Sequence, residues 1–464
     1  MPLKKIIITF FLLVVLASLF SNNDINLNNL PNYSSQPIPS YITKDNTPLS
    51  NPLTNSGATL GRVLFYDKRL SLNESISCAS CHNQQFAFSD TASLSVGFDG
   101  GLTSRHSMRL INTRFSLETN YFWNERANSL EEQTIHPIKD HVEMGFSGTN
   151  GQPPIDSLIS RLSEIGYYKP LFQLVYGDTT ITSTRIQFAL SQFIRSIVSF
   201  DSKYDTGRAL VNSDSPPFPN FTNDENEGKK LFLNHRPLGA NCQQCHLAPE
   251  FDIIPSSRNN GVIGVAGNSS TLDLNNTKSP SLRDLFNSRG TLNGPLMHNG
   301  AFSSLEEVLE HYNKVPNDTL NTNIDSSLIG PGSFLALNNT KKNQLTAFLK
   351  TLTGSNVYMD KKWSNPFDST GNITIIPLVN SITSIDRDFS ISLYPNPTSS
   401  KLFISVPNHN GTLLLYNSKG AILQKINFSD SSVLDVSTLS TGVYVVVFKD
   451  EHLKKSSTKY FIKE

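Results

Sequence analysis

The apolar positions of this chain follow a different period in each part of it. Ile6–Leu16 is an unbroken apolar run apart from Thr9, preceded by Lys4 and Lys5 and followed by Ala17, Ser18 and polar Ser21-Asn22-Asn23-Asp24. The run is short for a span of ~20 apolar residues, and the pattern predicts a cleaved secretory signal over residues 1–21. Residues 22–57 are rich in Asn, Ser and Pro and predict a flexible leader. Further on, Ile186, Leu190, Phe193, Ile194, Ile197 and Val198 recur at three- and four-residue spacing, the stripe of an amphipathic helix on a core. Pro216, Pro217 and Pro219 break the pattern and mark 212–223 as a linker between two helical regions, 58–211 and 224–365. A loose stretch, 366–388, predicts a second linker. From Phe389 the period shortens to β-rich runs: Leu402–Val406, Thr412–Tyr416, Ala421–Ile426, Val443–Phe448 and Lys459–Ile462. Turn signals at Asn417-Ser418-Lys419-Gly420 and Ser440-Thr441-Gly442 separate them. The expected fold is mainly α over two domains, followed by a small all-β sandwich over 389–464.

Composition narrows the function. At 464 residues the chain has room for two or three domains, and 38% hydrophobic residues sustain cores but do not fit a multi-spanning membrane protein. Lys plus Arg equals Asp plus Glu, 39 each, so no basic excess points to nucleic acid.

The chemistry enters with the cysteines. All four lie in two copies of one pattern, Cys78-Ala79-Ser80-Cys81-His82 and Cys242-Gln243-Gln244-Cys245-His246. C-x-x-C-H is the attachment sequence of c-type haem: two thioethers to the porphyrin and a histidine beneath the iron. Zinc ribbons place their second C-x-x-C roughly 15–20 residues after the first, whereas here the interval is 164. A thioredoxin-like redox pair needs no following histidine. Two covalently bound c-type haems are therefore expected, with His82 and His246 as iron ligands. No cysteine remains for a structural disulfide, which suits an exported cytochrome, because c-type haem is attached outside the bacterial cytoplasm.

The tail resembles the C-terminal sorting domain of type IX secretion substrates. The resemblance rests on Leu393-Tyr394-Pro395-Asn396-Pro397, Leu415-Tyr416-Asn417-Ser418-Lys419-Gly420, Leu439-Ser440-Thr441-Gly442-Val443-Tyr444 and Lys459-Tyr460-Phe461-Ile462-Lys463. It implies engagement with type IX secretion machinery and export beyond the outer membrane, to the cell surface or the medium; with the N-terminal signal, the expected route is Sec-type export through the periplasm.

Leu60 to about Trp363 resembles the di-haem cytochrome c peroxidases and MauG-type enzymes. The carrying stretches include Leu60-Gly61-Arg62-Val63-Leu64-Phe65-Tyr66-Asp67, Phe122-Trp123-Asn124-Glu125-Arg126-Ala127, Ser129-Leu130-Glu131-Glu132-Gln133, Val142-Glu143-Met144-Gly145, Pro280-Ser281-Leu282-Arg283 and Met297-His298-Asn299-Gly300. The resemblance implies reduction of hydrogen peroxide at the first haem. Electrons would come from a small donor protein of cytochrome or cupredoxin type, or another reductant, through the second haem. It matches Gln133, Pro137 and Glu143 to the distal pocket, and Trp123 to the tryptophan between the haems. A carboxylate such as Glu143 can move a proton between peroxide oxygens. His136 and His141 match no ligand and are read as surface or supporting residues, and Trp363 as core. On the second haem, the family's axial position falls on Tyr312, fifteen residues after Met297, with Met297 the alternative. A phenolate would lower the potential where a thioether would raise it.

Two departures follow. The position where typical peroxidases carry a capping histidine, sixteen residues after His82, is Phe98, so the first haem is expected to be open. His106 stands where the family commonly has a calcium-binding Asn, with carbonyls near Asn293 and Pro295 as the other ligands. Histidine is a poor ligand for a hard cation, which argues against calcium and raises the alternative of His106 reaching an iron. The rival activities are a MauG-type oxidase acting on a protein or organic substrate, and a non-catalytic electron-transfer cytochrome at the cell surface.

Overall fold

Helices begin where the sequence supplies a cap. Thr54 opens α1 (Asn55–Tyr66) by accepting the Gly57 N–H at 2.9 Å. A single turn, α2 (Cys78–Cys81), is followed by α3 (Leu130–Lys139), capped by Ser129, α4 (Ile155–Glu164), α5 (Tyr168–Tyr176) and α6 (Ser183–Arg195), capped by Thr182. Then come α7 (Lys203–Arg208), α8 (Asn223–Leu233), α9 (Leu305–Asn313) and α10 (Asn339–Lys350). Ser202, Thr222 and Ser304 close capping boxes with Asp205, Glu225 and Glu307. These elements come from a computed structural model that describes residues 24–464 except 118–119, 254–257, 267, 317, 331–332, 379–390, 419, 451 and 453–454. The expected signal peptide lies outside the described residues. None of the described helices is long and apolar enough to cross a membrane.

The chain divides into two units, Met1–Pro377 and Leu378–Glu464. The first holds two hydrophobic cores, and each is organised by one close helix crossing. α1 packs on α6 with Gly61 at the contact, where a Cβ would stand 1.9 Å from the Ala189 carbonyl oxygen. α8 packs on α10 with Gly228 at the contact, where a Cβ would stand 1.9 Å from the Gln344 carbonyl oxygen. Each glycine is followed four residues later by a buried phenylalanine, Phe65 and Phe232. The unit is thus the same helix-crossing device used twice. Gly61→Ala should force the helices apart at a cost of about 1–3 kcal/mol, the usual penalty of overpacking. A lower denaturant midpoint for the variant checks this.

The stripe expected near residue 190 is present: Ile186, Leu190, Phe193 and Ile194 are buried on α6. The leader differs from its sequence reading. Residues 24–57 are packed, not loose. β1 (Ile25–Asn26) pairs in parallel with a later strand, Ile375–Ile376. Tyr33 is fully buried and donates its hydroxyl to the Lys362 carbonyl at 2.5 Å, and Asn51 donates to Glu131 at 2.8 Å. The proline-rich linker is likewise anchored: Phe218 and Phe221 enter the second core, and Lys229 donates to the carbonyls of Asp214 and Pro216. Trp363 is core as expected, but it belongs to the first core, donating its indole N–H to the Ser196 carbonyl at 3.1 Å. Residues 357–367 therefore return from the second half to the first. Within the second half, β2 (Gly264–Val265) and β3 (Asn268–Leu272) form an antiparallel pair. The returning strand 375–376 is β4, so part of the stretch read as a second linker is ordered.

The second unit is one five-stranded antiparallel sheet rather than two separate ones. Its strands are β5 (Ser392–Tyr394), β6 (Lys401–Tyr416), β7 (Ile422–Asp435), β8 (Gly442–Asp450) and β9 (Lys455–Lys463), in the order β5-β6-β8-β9 with β7 also on β6. The first part of β6 pairs with β5 and its last part with β8. A register irregularity between Ser405 and Asn410 separates these parts. Across it the inward residues change parity, from Leu402, Ile404 and Val406 to Leu413 and Leu415, so both parts face one core.

Candidate active site

Both C-x-x-C-H motifs fold as tight turns whose two cysteines and histidine line one cavity. At the first, the Ser77 N–H donates to Ser80 Oγ at 3.0 Å, α2 makes one turn, and His82 N–H donates to the Cys78 carbonyl at 2.9 Å. At the second, a 3₁₀ turn over Cys242–Gln244 ends with His246 N–H donating to the Cys242 carbonyl at 3.0 Å. Each turn opens into its own cavity, about 200 Å³ for the first and about 180 Å³ for the second. A water needs only about 10–15 Å³ of such space, so each cavity is built for something far larger.

The residues present fit a haem in each. His82 Nδ1 lies 3.0 Å from the Phe88 carbonyl. That contact fixes the tautomer and leaves Nε2 with the lone pair for a metal. Burial lowers the pKa of both histidines, His246 to about 4, so both are neutral and able to ligate. Burial pushes the Cys78 and Cys242 thiols up to about 12, the reverse of the depressed thiol that a redox C-x-x-C uses.

The first cavity collects the expected distal residues. Gln133 and Pro137, one helical turn apart on α3, line it together with Glu143 and Arg126. Glu143 sits just beyond α3 in a turn held by Asp140, whose carboxylate accepts from the Val142 and Glu143 N–H groups at 2.8 and 2.9 Å. The Glu143 carbonyl accepts from Phe98 N–H at 2.9 Å, which ties this turn to the loop after the first motif. Burial, reinforced by the Asp140 charge and opposed by Arg126, lifts the Glu143 carboxyl to about 7. The Phe98 ring lies over Gly145, where a Cβ would stand 2.7 Å from its edge. His136 lies beside Glu132, and His141 is exposed near Ser147.

Trp123 lines both cavities. Its indole N–H donates to the His106 carbonyl at 2.7 Å, and its own carbonyl accepts from Thr277 and Lys278 N–H at 2.9 and 3.1 Å. His106 also borders both cavities, but its ring is engaged elsewhere, with Nδ1 3.0 Å from the Ala92 carbonyl and Nε2 3.4 Å from Ser89 Oγ.

The second cavity receives both candidates for the far side of its iron. Tyr312, on α9, and Met297 line it with Cys242, Cys245 and His246. Asn260 stands between them: its Nδ2 is 3.1 Å from the Tyr312 hydroxyl and 3.2 Å from Met297 Sδ. Met297 has a φ of +71°, a conformation that unbranched non-glycine residues rarely adopt. Reading the sequence did not single out Asn260, Arg109 or Lys278, all of which line cavities. Lone polar residues carry no spacing signal. Lys278 alone had a pointer, standing two positions before the Pro280-Ser281-Leu282-Arg283 motif.

Two adjacent cavities, each entered by its own C-x-x-C-H turn and sharing a tryptophan, are the arrangement of a di-haem cytochrome. Residues 55–210 match the di-haem cytochrome c peroxidase family, and residues 392–464 match the secretion system C-terminal sorting domain. The methylamine utilization protein MauG of Methylophilus methylotrophus is 32% identical over 320 residues, covering 66% of this chain and 85% of that one. The cytochrome c551 peroxidase of Nitrosomonas europaea is 29% identical over 309 residues, 64% of this chain and 80% of that one. A crystal structure of a MauG-like protein associated with microbial copper homeostasis superposes with a TM-score of 0.58 at 27% identity, covering 72% of this chain and 99% of that one. The chain belongs to the di-haem cytochrome c peroxidase and MauG family; it is an oxidoreductase carrying a type IX secretion sorting domain.

Proposed function

We propose that this protein reduces hydrogen peroxide to water, using electrons that enter at the second haem from a small donor protein or other reductant. The observation that carries the reading is Glu143 in the first cavity, with its carboxyl lifted to about 7 beside Gln133 and Pro137. When bound, c-type haems joined through Cys78 and Cys81 and through Cys242 and Cys245, with His82 and His246 as iron ligands, would supply the two electrons that, with two protons from solvent, carry the second peroxide oxygen to water as well. The chain does the rest. Glu143 takes a proton from one peroxide oxygen and returns it to the other, which leaves as water. A carboxyl near neutrality suits both halves of that transfer, since it is neither too weak a base nor too weak an acid. Gln133 orients the peroxide, Pro137 keeps that side of the cavity apolar, and Trp123 spans the two sites.

Phe98 has no group that can ligate iron. Stopped-flow spectroscopy of the fully oxidised protein with peroxide should therefore show a rapid change in the first haem without prior reduction. An oxidised protein inert to peroxide until half-reduced would overturn the open first haem and point to His106 as its cap, whereas no peroxide turnover in either state would overturn the peroxidase reading.

A second reading is a MauG-type oxidation of a protein or organic substrate, and Tyr312 favours it. With Tyr312 as ligand, Tyr312→Phe should alter the spectrum of the second haem and raise its potential, while Met297→Leu leaves both nearly unchanged. The opposite pattern would make Met297 the ligand. Calcium has little part in either reading, because His106, fastened to Ala92 and Ser89, occupies the position that the family's cation ligand would take. The route we infer is a Sec-type signal over 1–21, transit of the periplasm, and type IX delivery to the cell surface or the medium. No nucleic-acid partner is proposed.

A further inference from the structure

The wall common to the two cavities is formed by His106, Met108, Arg109, Trp123, Lys278 and Pro280. Burial keeps His106 on the neutral side, so the fixed charges of the wall are the two cations. Arg109 is the unusual one. Its Nη2 donates to the Ser281 carbonyl at 2.7 Å, yet its Nε is buried without a hydrogen-bond partner. A guanidinium has five N–H donors in a fork suited to carboxylates. Asp284 balances its charge only through the field. The Asp284 carboxyl is turned elsewhere, accepting from Gly354 N–H at 2.8 Å and from the Tyr358 hydroxyl at 3.0 Å. Arg109 as a whole is half-buried, but a guanidinium N–H withdrawn from water without a partner is costly, unless an anion enters from a cavity. Lys278 adds a second charge on the same wall, its Nζ 3.3 Å from the Asn120 carbonyl.

We propose that Arg109, assisted by Lys278, is an anion-binding bridge that takes carboxylates from both cavities, namely the propionate groups of the two haems. The inference rests on the di-haem reading. It makes Arg109 a positioning residue that ties both prosthetic groups to one side chain next to Trp123. Reducing either iron lowers its charge by one, so a cation shared by both favours the reduced state of each. A free organic acid would present the same carboxylate chemistry, so the test separates the two sources.

The full-length, haem-loaded protein and its Arg109→Gln and Arg109→Lys variants are compared by mass, by resonance Raman of the propionate bending bands, and by spectroelectrochemical titration. Arg109→Gln should retain two haems, shift the propionate bands of both, and lower both midpoint potentials, with Arg109→Lys restoring most of the potentials. If Arg109→Gln does not fold, Lys278→Gln carries the same test with smaller shifts in the same direction. Two retained haems with unchanged bands and potentials, or a change at one haem alone, would overturn the bridge. So would potentials of the unaltered protein that move with added acetate, which would assign the site to free carboxylates. A wild-type mass lacking two haems would instead refute the di-haem reading itself.

Discussion

Glu143→Gln should lower peroxide turnover by about 10²–10⁴-fold, the range that positioned acid–base groups contribute, while both haems stay attached. The substitution keeps size and polarity and removes only the titratable proton. Its pH profile should be diagnostic. The ionised carboxylate accepts the first proton, and burial with the Asp140 charge holds its pKa near 7. The early rate should therefore rise with pH through about 7 in the native enzyme, and that limb should vanish in Glu143→Gln. Stability should move the opposite way. The folded pKa is raised above the ordinary 4.5. The stabilising contribution of this carboxyl is therefore complete below 4.5 and lost as pH rises through about 7. At pH 8 the Gln variant should be at least as stable as the parent, which thermal unfolding at two pH values would check. Full turnover in Glu143→Gln would remove the carboxyl from the mechanism and favour an electron carrier or another acid such as His141.

The Cys78→Ala/Cys81→Ala double variant should abolish peroxide reaction outright and lose the mass of one haem. The second haem should remain, because Cys242, Cys245 and His246 stand in a separate cavity entered by its own turn. The converse variant, Cys242→Ala/Cys245→Ala, should keep the first haem but fail to sustain turnover on an external donor. Mass spectrometry with a steady-state assay distinguishes the two. Retention of both haems in the first variant would sink the assignment of the site.

Much of this was legible in the residues. The two C-x-x-C-H patterns were legible because the expected haem attachment needs two thiols and a histidine at one fixed spacing, and in each turn all three line one cavity. The helical stripe on α6 was readable because a buried face recurs every three to four residues. The strands of the tail were readable by alternation. What escaped detection lacks a period. Tyr33 reaches Lys362 across 329 residues, and Trp363 crosses back to the first core. Such long-range packing leaves no mark on a polar, proline-rich stretch, so 22–57 read as loose. That the strands of the tail join in one hydrogen-bonded sheet turns on one irregularity in β6, which alternation within each half conceals. Asn260 and Arg109 were missed because each acts alone, and only the fold shows that their neighbours are a phenol, a thioether and two cavities.

The pairing of β1 with β4 has a consequence for how the molecule comes into being. Ile25 N–H donates to the Thr374 carbonyl at 2.9 Å and Leu27 N–H to the Ile376 carbonyl at 3.0 Å, so the first and last described strands of the catalytic unit are clasped together. A chain delivered in sequence order cannot fasten this clasp until its residues beyond 370 have arrived, just ahead of the sorting domain. Completion of the enzyme is therefore timed to the emergence of its address label. Because its first and last described strands are paired, a permutant joined between them and reopened at an exposed loop should fold to the same pair of cavities.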